Sequence, residues 1–326
     1  MQTLTTAQQF KEGDPVTINL GYNDSSILSG NATPVIPGNN KGLGTVFQGF
    51  VKRVGTGMPC EVECEGYVRP LRLGMSVTAH YKATKASVLL NLLTYAWTAG
   101  SGAKVPGSDS GLNTKGASTG IKVIVAHDMD LVNVTLNENN GVEIIEAVKR
   151  FSEGALNIFF INPTTLWCGL TYTPYQSGTD PFGLGRVNYR LGWNCPRNND
   201  LKMRIPSERV HIILGGTLAN AVRVKGSSDD ATALRHEKKI SNHVGTNGSA
   251  KVIAQELQLM KNYSGYQGSL TGFLHPWCQP GDIVNITDAQ LPKLNGDYMC
   301  EGTEINFGLK GARIRVEVGP KLSFAS

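Results

Sequence analysis

The chain has 326 residues, a length typical of two domains or of one large elaborated domain. Hydrophobic residues make up 40% and charged residues 17%, which supports a sizeable core and excludes wholesale disorder. The net charge of +5 is too small to indicate nucleic-acid binding by itself.

The sequence contains no signal-peptide pattern and no run long enough to span a membrane. The longest nearly apolar stretch, residues 210–222, is well short of the ~18–20 residues that a membrane span needs. Six cysteines in a chain of this length do not form a disulfide framework, because such frameworks serve small domains with inadequate cores. We therefore expect a soluble protein made in a reducing cytoplasm.

The first quarter of the chain is predicted to be β structure. Residues 15–21 alternate apolar and polar side chains, as does a half-buried strand. Two further strands are predicted at residues 45–54 and 60–68, after a long Gly/Asn/Pro-rich excursion at residues 23–44. The 38 glycines and 15 prolines of the chain favour many short strands joined by tight turns.

The middle of the chain alternates between helical and strand patterns. Apolar spacing predicts helices over residues 85–97 and 140–153, the second ending at Gly154 in a left-handed cap. The polar, Gly/Ser-rich residues 100–120 are predicted to be a flexible loop. Short strands are expected at residues 121–126 and 131–136.

The last half of the chain is predicted to be strands around one helix. A hairpin is expected at residues 156–172 and four strands within residues 186–226. Residues 249–262 form the helix, with Val252, Ile253, Leu257 and Met260 facing inward. The final strands are expected at residues 281–286, 296–300 and 312–318, with Ile314, Val316 and Val318 on one face.

These elements predict a mainly β (α+β) fold and not a doubly wound α/β fold. The expected domains are a first β-barrel segment (1–75), an α/β insertion with the loop 100–120 (76–175), a basic second β segment (176–245), and a helix followed by barrel strands (246–326).

Fragments that could suggest an enzyme have simpler interpretations. His127, Asp128 and Asp130 lie between two predicted strands, where a polar turn is expected, and no further ligands follow at a recognised spacing. Cys60 and Cys64 are four residues apart in a strand pattern, about 13 Å, too far for one tetrahedral ion. We expect no catalytic residue, no metal site and no cofactor.

Charge is unevenly distributed along the chain. Residues 186–239 contain 11 Lys/Arg and 5 Asp/Glu, so this segment is basic. Such a segment is typical of a surface that faces an acidic partner or a nucleic-acid conduit, or of the solvated outer faces of strands. The candidate basic interface consists of Arg204, Arg209, Arg223 and Lys225, whereas residues 235–239 are predicted to be a solvated turn.

Two stretches match the order of motifs in one known family. The first joins a Gly-Asp pair to an alternating strand at residues 13–23 and continues through residues 46–51 and 59–65. The second runs through residues 266–273, 280–284 and 295–298 to the last hairpin. This order resembles phage baseplate hub proteins of the late-control-protein-D type, which are similar to the hub part of type VI secretion spikes. The turn residues that match are Gly13, Asp14, Gly21, Gly49, Gly281, Asp282, Gly296, Tyr298 and Gly319.

The resemblance implies a structural role in the tail baseplate of a virion. Such hubs are homotrimers whose two tube-like β-barrel domains, interrupted by α/β insertions, adapt a sixfold tail tube to a threefold spike. The implied partners are the tube protein, a separate central spike protein, and the tape-measure and baseplate wedge proteins. DNA would be only passing cargo, and assembly would occur in the host cytoplasm.

Two other classes of function stay open. One is a β-rich carbohydrate-binding module for host attachment, and the other is a tail-associated cell-wall hydrolase. The first would need exposed aromatic side chains, and the second a carboxylate pair or metal cluster in a cleft.

Overall fold

The computed structural model describes residues 10–22, 42–55, 61–73, 75–170, 186–197, 200–206, 210–217, 223–227, 234–239, 243–274, 276–308 and 311–322. These residues form a mainly β (α+β) fold, as predicted. Within them, no helix is both long and apolar enough to cross a membrane.

The amino-terminal sheet has three antiparallel strands. They are β1 (Pro15–Tyr22), β2 (Gly42–Val54) and β3 (Val62–Glu65), with β2 in the centre. The third strand was predicted to continue to residue 68, but the chain turns into a short helix, α1 (Val68–Arg72). This turn places Leu71 in the main core with no exposed surface, which an extended strand would not do.

An α/β layer follows, built around two helices. Strand β4 (Val77–Lys85) leads into α2 (Ala86–Asn91) and a 3₁₀ turn (Leu92–Thr94). The predicted helix over residues 85–97 is therefore too long, because its last residues already belong to β5 (Tyr95–Lys104).

The predicted flexible loop at residues 100–120 is wrong. Strand β5 pairs with β6 (Leu112–Ser118) in an antiparallel hairpin. The indole of Trp97 donates a hydrogen bond to the Leu92 carbonyl at 2.9 Å, and the amide of the buried Asn113 donates to the Thr78 carbonyl at 3.1 Å. Backbone pairing and these two anchors hold a hairpin whose polar sequence lacks apolar alternation.

Four more strands and one helix complete this layer. They are β7 (Lys122–Val125), β8 (Asp130–Glu138), α3 (Gly141–Phe151), β9 (Leu156–Asn162) and β10 (Thr165–Leu170). Strand β8 pairs with β4, and β10 pairs with both β7 and β9. Helix α3 matches its prediction: Asn140 accepts from the Glu143 amide at its start, and Gly154 has a positive φ of 77° after its end.

Three strands lie within the basic part of the chain, and the longest described helix follows it. They are β13 (Val210–Thr217), β14 (Arg223–Ser227), β15 (Leu234–Lys239) and α4 (Asn247–Asn262). The predicted turn at residues 235–239 is wrong, because β15 pairs in parallel with β13. The inward prediction for Met260 is also wrong: its side chain is 39% exposed where the helix passes the edge of the core.

The last sheet curls into a half-barrel. Its strands are β11 (Arg186–Arg190), β12 (Lys202–Arg204), β16 (Gly265–Phe273), β17 (Ile283–Thr287), β18 (Gly296–Gly308) and β19 (Gly311–Lys321). A 3₁₀ turn (Pro292–Leu294) precedes β18. The order across the sheet is β11-β17-β18-β19-β16-β12. Ile314, Val316 and Val318 are buried on its concave side, as their alternation predicted.

The two hydrophobic cores meet at a small contact. One core lies between α2, α3, α4 and the sheets around them, and the other fills the half-barrel. Met299 and Leu322 of the half-barrel pack with Phe159 of β9 and Leu259 of α4. Helix α4 therefore buries its apolar face in the first core and touches the half-barrel with its last turns.

Candidate assembly surface

The residues that could have suggested an enzyme have structural roles. The Asp128 carboxylate accepts hydrogen bonds from the Ser87 amide at 2.9 Å and the Ser87 hydroxyl at 2.7 Å, and so caps helix α2 from a distant turn. Burial lowers the pKa of the neighbouring His127. In the part of the chain that the structure describes, no three His, Cys, Asp or Glu side chains are grouped to hold a metal ion. Cys60 lies outside that part.

A side chain takes the place of a neighbouring strand at the outer edge of β11. The Asn194 side chain donates to the Asn188 carbonyl at 3.0 Å and accepts from the Arg190 amide, so it occupies the outer edge of β11. The next residue, Cys195, donates its thiol to the Thr271 carbonyl of β16 at 3.3 Å. The turn after β11 thus spans the gap between the first strand of the sheet and β16.

Four hydrogen bonds hold the first Gly-Asp turn, which leads into β1. Gly13 has a φ of +91° and donates its amide to the Val51 carbonyl, and the Val51 amide donates to the Asp14 carbonyl, both at 2.9 Å. The Asp14 amide donates to the Lys11 carbonyl, and its carboxylate accepts from the Lys11 amide at 2.7 Å. The glycine supplies a backbone conformation that other residues rarely adopt, and the aspartate closes the turn.

The second Gly-Asp turn has the same four hydrogen bonds. Gly281 has a φ of +93° and donates to the Cys300 carbonyl at 2.8 Å, and the Cys300 amide donates to the Asp282 carbonyl at 3.0 Å. The Asp282 amide donates to the Gln279 carbonyl, and its carboxylate accepts from the Gln279 amide at 2.9 Å. Each turn therefore leads one strand into antiparallel pairing with a 13-residue strand.

The two 13-residue strands that pair with these turns also share a β-bulge at equivalent positions. In β2 the register shifts directly after Val51, leaving Lys52 as the extra residue before Arg53 pairs with Glu63. In β18 it shifts directly after Cys300, leaving Glu301 as the extra residue before the next pair. We call residues 11–22, 42–54 and 62–65 the first module, and residues 279–287, 296–308 and 311–321 the second module.

The two modules differ in charge at the bulge. In the first, Lys52 forms an ion pair with Glu63 at 2.5 Å and lowers the pKa of that carboxyl. In the second, Glu301 and Glu317 stand at the equivalent positions. Burial raises the pKa of Glu301, and the charge of Glu317 raises it further. The modules therefore share a backbone but present different charges.

The other family-matching turn residues also lie in these modules. Gly49 faces the Glu65 carbonyl so closely that a side chain would collide with it, and Gly296 has a φ of 151° at the start of β18. Gly319 leaves room for Glu301, whose Cγ lies 2.7 Å from where a Cβ would be. Gly21 lies on β1 opposite Leu43.

Tyr298 is a buried anchor of the second module. Its hydroxyl donates to the Leu294 carbonyl at 2.5 Å and accepts from the Tyr266 amide at 2.9 Å. The ring packs against Gly265, where a Cβ would lie 2.8 Å from the ring edge. Tyr298 therefore ties β18 to β16 across the half-barrel.

The residues of the candidate basic interface are spread over separate elements. The Arg204 guanidinium lies over the Tyr263 ring and donates to the Met260 and Lys261 carbonyls, so it caps the carboxyl end of α4. Arg223 and Lys225 lie on β14. Arg209 lies outside the described residues.

An exposed tryptophan is the feature that the sequence did not reveal. Trp193 is 77% exposed on a turn fixed by Gly192, whose φ is +83° and whose amide donates to the Cys195 carbonyl at 2.7 Å. Arg190 lies over the indole at 5.2 Å. The turn borders an open cleft of about 330 Å³, lined by Arg190, Leu191, Gly192, Trp193, Arg197 and Ala289.

A buried polar network forms one side of this cleft. Asp288, only 3% exposed, accepts from the Tyr266 hydroxyl at 2.8 Å and the Arg197 guanidinium at 2.7 Å. Burial raises the pKa of Asp288, but hydrogen bonds from Gln290, Tyr266 and Arg197 lower it more, so the net shift is downward. The network fixes Arg197 beside Trp193.

The mainly β fold of this chain is similar to that of solved phage-type tail proteins. The chain is similar to the tail protein from Neisseria meningitidis MC58, with a TM-score of 0.52 and 11% identity over 84% of this chain and 80% of that one. The 43 kDa tail protein of prophage MuSo2 from Shewanella oneidensis aligns with a TM-score of 0.49 and 11% identity, over 93% of this chain and 88% of that one. The p2 virion baseplate in its activated conformation aligns at 0.29 with 9% identity, over 90% and 80%. No protein-family profile and no curated protein sequence matches the chain.

Proposed function

We propose that this chain is a structural, non-enzymatic protein of a phage or phage-like tail and forms the hub of its baseplate. The observation that carries the proposal is the recurrence of one module, with the same turn, strand pairing and bulge, at the two ends of the chain. The fold likeness to a solved tail protein supports the same class of function.

The repeated module suggests how a hub can join rings of different symmetry. Three copies of a chain with two equivalent modules present six similar surfaces around one axis. Such a ring could seat a sixfold tail tube on the face formed by the modules, while the remaining threefold features hold a separate trimeric spike. The different charges at Lys52 and Glu301 make the six surfaces similar but not identical.

The oligomeric state and the tube contact are the direct tests. We expect purified protein to be trimeric by sedimentation velocity and to cap tubes of its own tail tube protein in electron micrographs. A monomer at all accessible concentrations, together with uncapped tubes, would refute the hub role. Tape-measure and wedge proteins are further partners for co-purification, with assembly in the host cytoplasm and the finished protein in the virion baseplate.

The basic segment is proposed to dock on an acidic surface of the tube or tape-measure protein. Arg204 is a poor position for the test, because its guanidinium already binds the end of α4. Reversing Arg209, Arg223 and Lys225 should weaken tube capping at low salt and leave the oligomer intact. Unchanged capping at low ionic strength would remove this contact from the proposal.

Trp193 favours a second candidate function, carbohydrate binding during host attachment. An exposed indole on a rigid turn, next to Arg197 and its polar network, is a suitable surface for stacking a sugar ring. Glycan-array binding that is lost in Trp193→Ala and kept in Tyr95→Ala, another exposed aromatic, would support it. Absence of glycan binding by the wild type would eliminate it.

A further inference from the structure

Two strand edges of the half-barrel have no partner strand among the described residues. Strand β17 pairs with β18 only as far as Met299. On that side of β18, the edge of residues 302–308 therefore has no pairing with β17. At the other end of the sheet, β12 pairs with β16 over residues 202–204 and has no described strand on its outer side. Open edges readily pair with another chain.

Both edges carry apolar side chains on the concave face of the sheet. Met203 stands opposite the buried Tyr266, which places Met203 and Ile205 on that face, and they are 59% and 68% exposed. On β18, Ile305 packs partly against the half-barrel core and Phe307, two residues on, is 67% exposed. At each edge, exposed apolar side chains therefore continue the row of buried apolar side chains on the concave face.

The convex face of the same edges carries opposite charges. Lys202 precedes Met203 on β12, so its side chain lies on the opposite, convex face, and it is exposed. Glu304 precedes Ile305 on β18, and 61% of its side chain is exposed. Its carboxylate accepts a hydrogen bond from the Asn306 side-chain amide at 3.2 Å and lies 4.0 Å from Arg315. If the two edges lie side by side, apolar side chains meet on one face and opposite charges on the other.

We propose that residues 302–308 of one copy pair with β12 of a second copy and so extend the half-barrel from subunit to subunit. The inference rests on the proposed self-assembling role and names the contact that produces it. The two edges are different surfaces, so the contact is head-to-tail and closes into a ring under rotational symmetry. Adjacent strands in the order β18-β19-β16-β12 are antiparallel. Rotation about an axis along the strands therefore places β12 antiparallel to the next copy's β18.

Charge reversal and its rescue test the pairing. Lys202→Glu and Glu304→Lys should each raise the dissociation constant about tenfold per contact, equivalent to ~1.4 kcal/mol, because cross-strand like charges repel. The double variant should return to within about twofold of the wild type. Phe307→Lys, at an exposed position that does not disturb the fold, should also dissociate the oligomer in sedimentation equilibrium.

Matched controls separate this contact from general surface effects. Glu146→Lys with Lys149→Glu exchanges an exposed ion pair on α3, and Leu112→Lys changes an exposed apolar side chain on β6. Both should leave association unchanged. A wild-type oligomer that tolerates Lys202→Glu, Glu304→Lys and Phe307→Lys would overturn the pairing and leave the hub role standing. A wild-type monomer would overturn the pairing, and a monomer that also leaves tubes uncapped would overturn the hub role as well.

Discussion

The two Gly-Asp turns predict different costs for one substitution made at two equivalent positions. Asp14 and Asp282 accept the same backbone hydrogen bond, but Asp14 is half-buried near solvent and Asp282 is 4% exposed. In Asp282→Ala the Gln279 amide loses its acceptor in a buried place, which costs ~1–3 kcal/mol. In Asp14→Ala water can replace the carboxylate, so we expect about 0.5 kcal/mol. The Asp→Asn variants keep an acceptor oxygen and should lose less than half of each cost.

Urea unfolding followed by far-ultraviolet circular dichroism measures both costs on the same chain. Asp282→Ala should move the transition of the half-barrel to lower urea with the slope unchanged, whereas Asp14→Ala should move its transition only slightly. Hydrogen exchange at the Cys300 and Val51 amides, which close the two turns, locates the effect in each module. A larger cost for Asp14→Ala than for Asp282→Ala would refute the reasoning that burial decides the energy of this turn.

Three further predictions follow from single contacts. Tyr298→Phe leaves the Tyr266 amide and the Leu294 carbonyl without their buried partner and should cost about 2–4 kcal/mol in urea unfolding, whereas Tyr95→Phe, on an exposed ring, should cost almost nothing. Asp128→Ala removes the distant cap of α2 and should cost ~1 kcal/mol, with Asp128→Asn recovering part of it; an equal loss in both variants would contradict a capping role. Because the pKa of Glu301 is higher in the folded state, its ionisation destabilises the protein as pH rises through the unfolded and then the folded pKa. Glu301→Lys should remove this loss and add ~0.5 kcal/mol by pairing with Glu317, as Lys52 does with Glu63; an unchanged pH profile would refute the assigned repulsion.

Local patterns in the sequence were sufficient where a segment forms its own contacts. Helix α3 was predicted with its glycine cap, and the β9–β10 hairpin with its turn, because both depend on neighbouring residues. The hairpin β5–β6 was missed because its stability comes from cross-strand hydrogen bonds and from Trp97 and Asn113, which contact residues outside the pattern. Strand β15 was missed for a similar reason, since its five charged or polar residues pair with β13 and do not alternate.

The candidate assembly surface could also be predicted only in part from the sequence. The Gly-Asp pairs were identified from the sequence, yet their equivalence depends on bonds to Val51 and Cys300, which lie 38 and 19 residues further along the chain. A search for Gly-Asp followed by an alternating strand could have suggested the repeat. Nothing in the composition distinguished Trp193 from the buried Trp97 and Trp167, because exposure depends on the surrounding fold.

The sequence by itself determined the mainly β class, the positions of the two glycine turns, and the apolar face of β19, because backbone preference and period-two alternation are local properties. Only the tertiary structure decided which strands pair, where the bulges fall, and which edges are left open. Pairing brings together residues far apart in the chain, and each choice depends on burial and hydrogen bonds that no single segment contains.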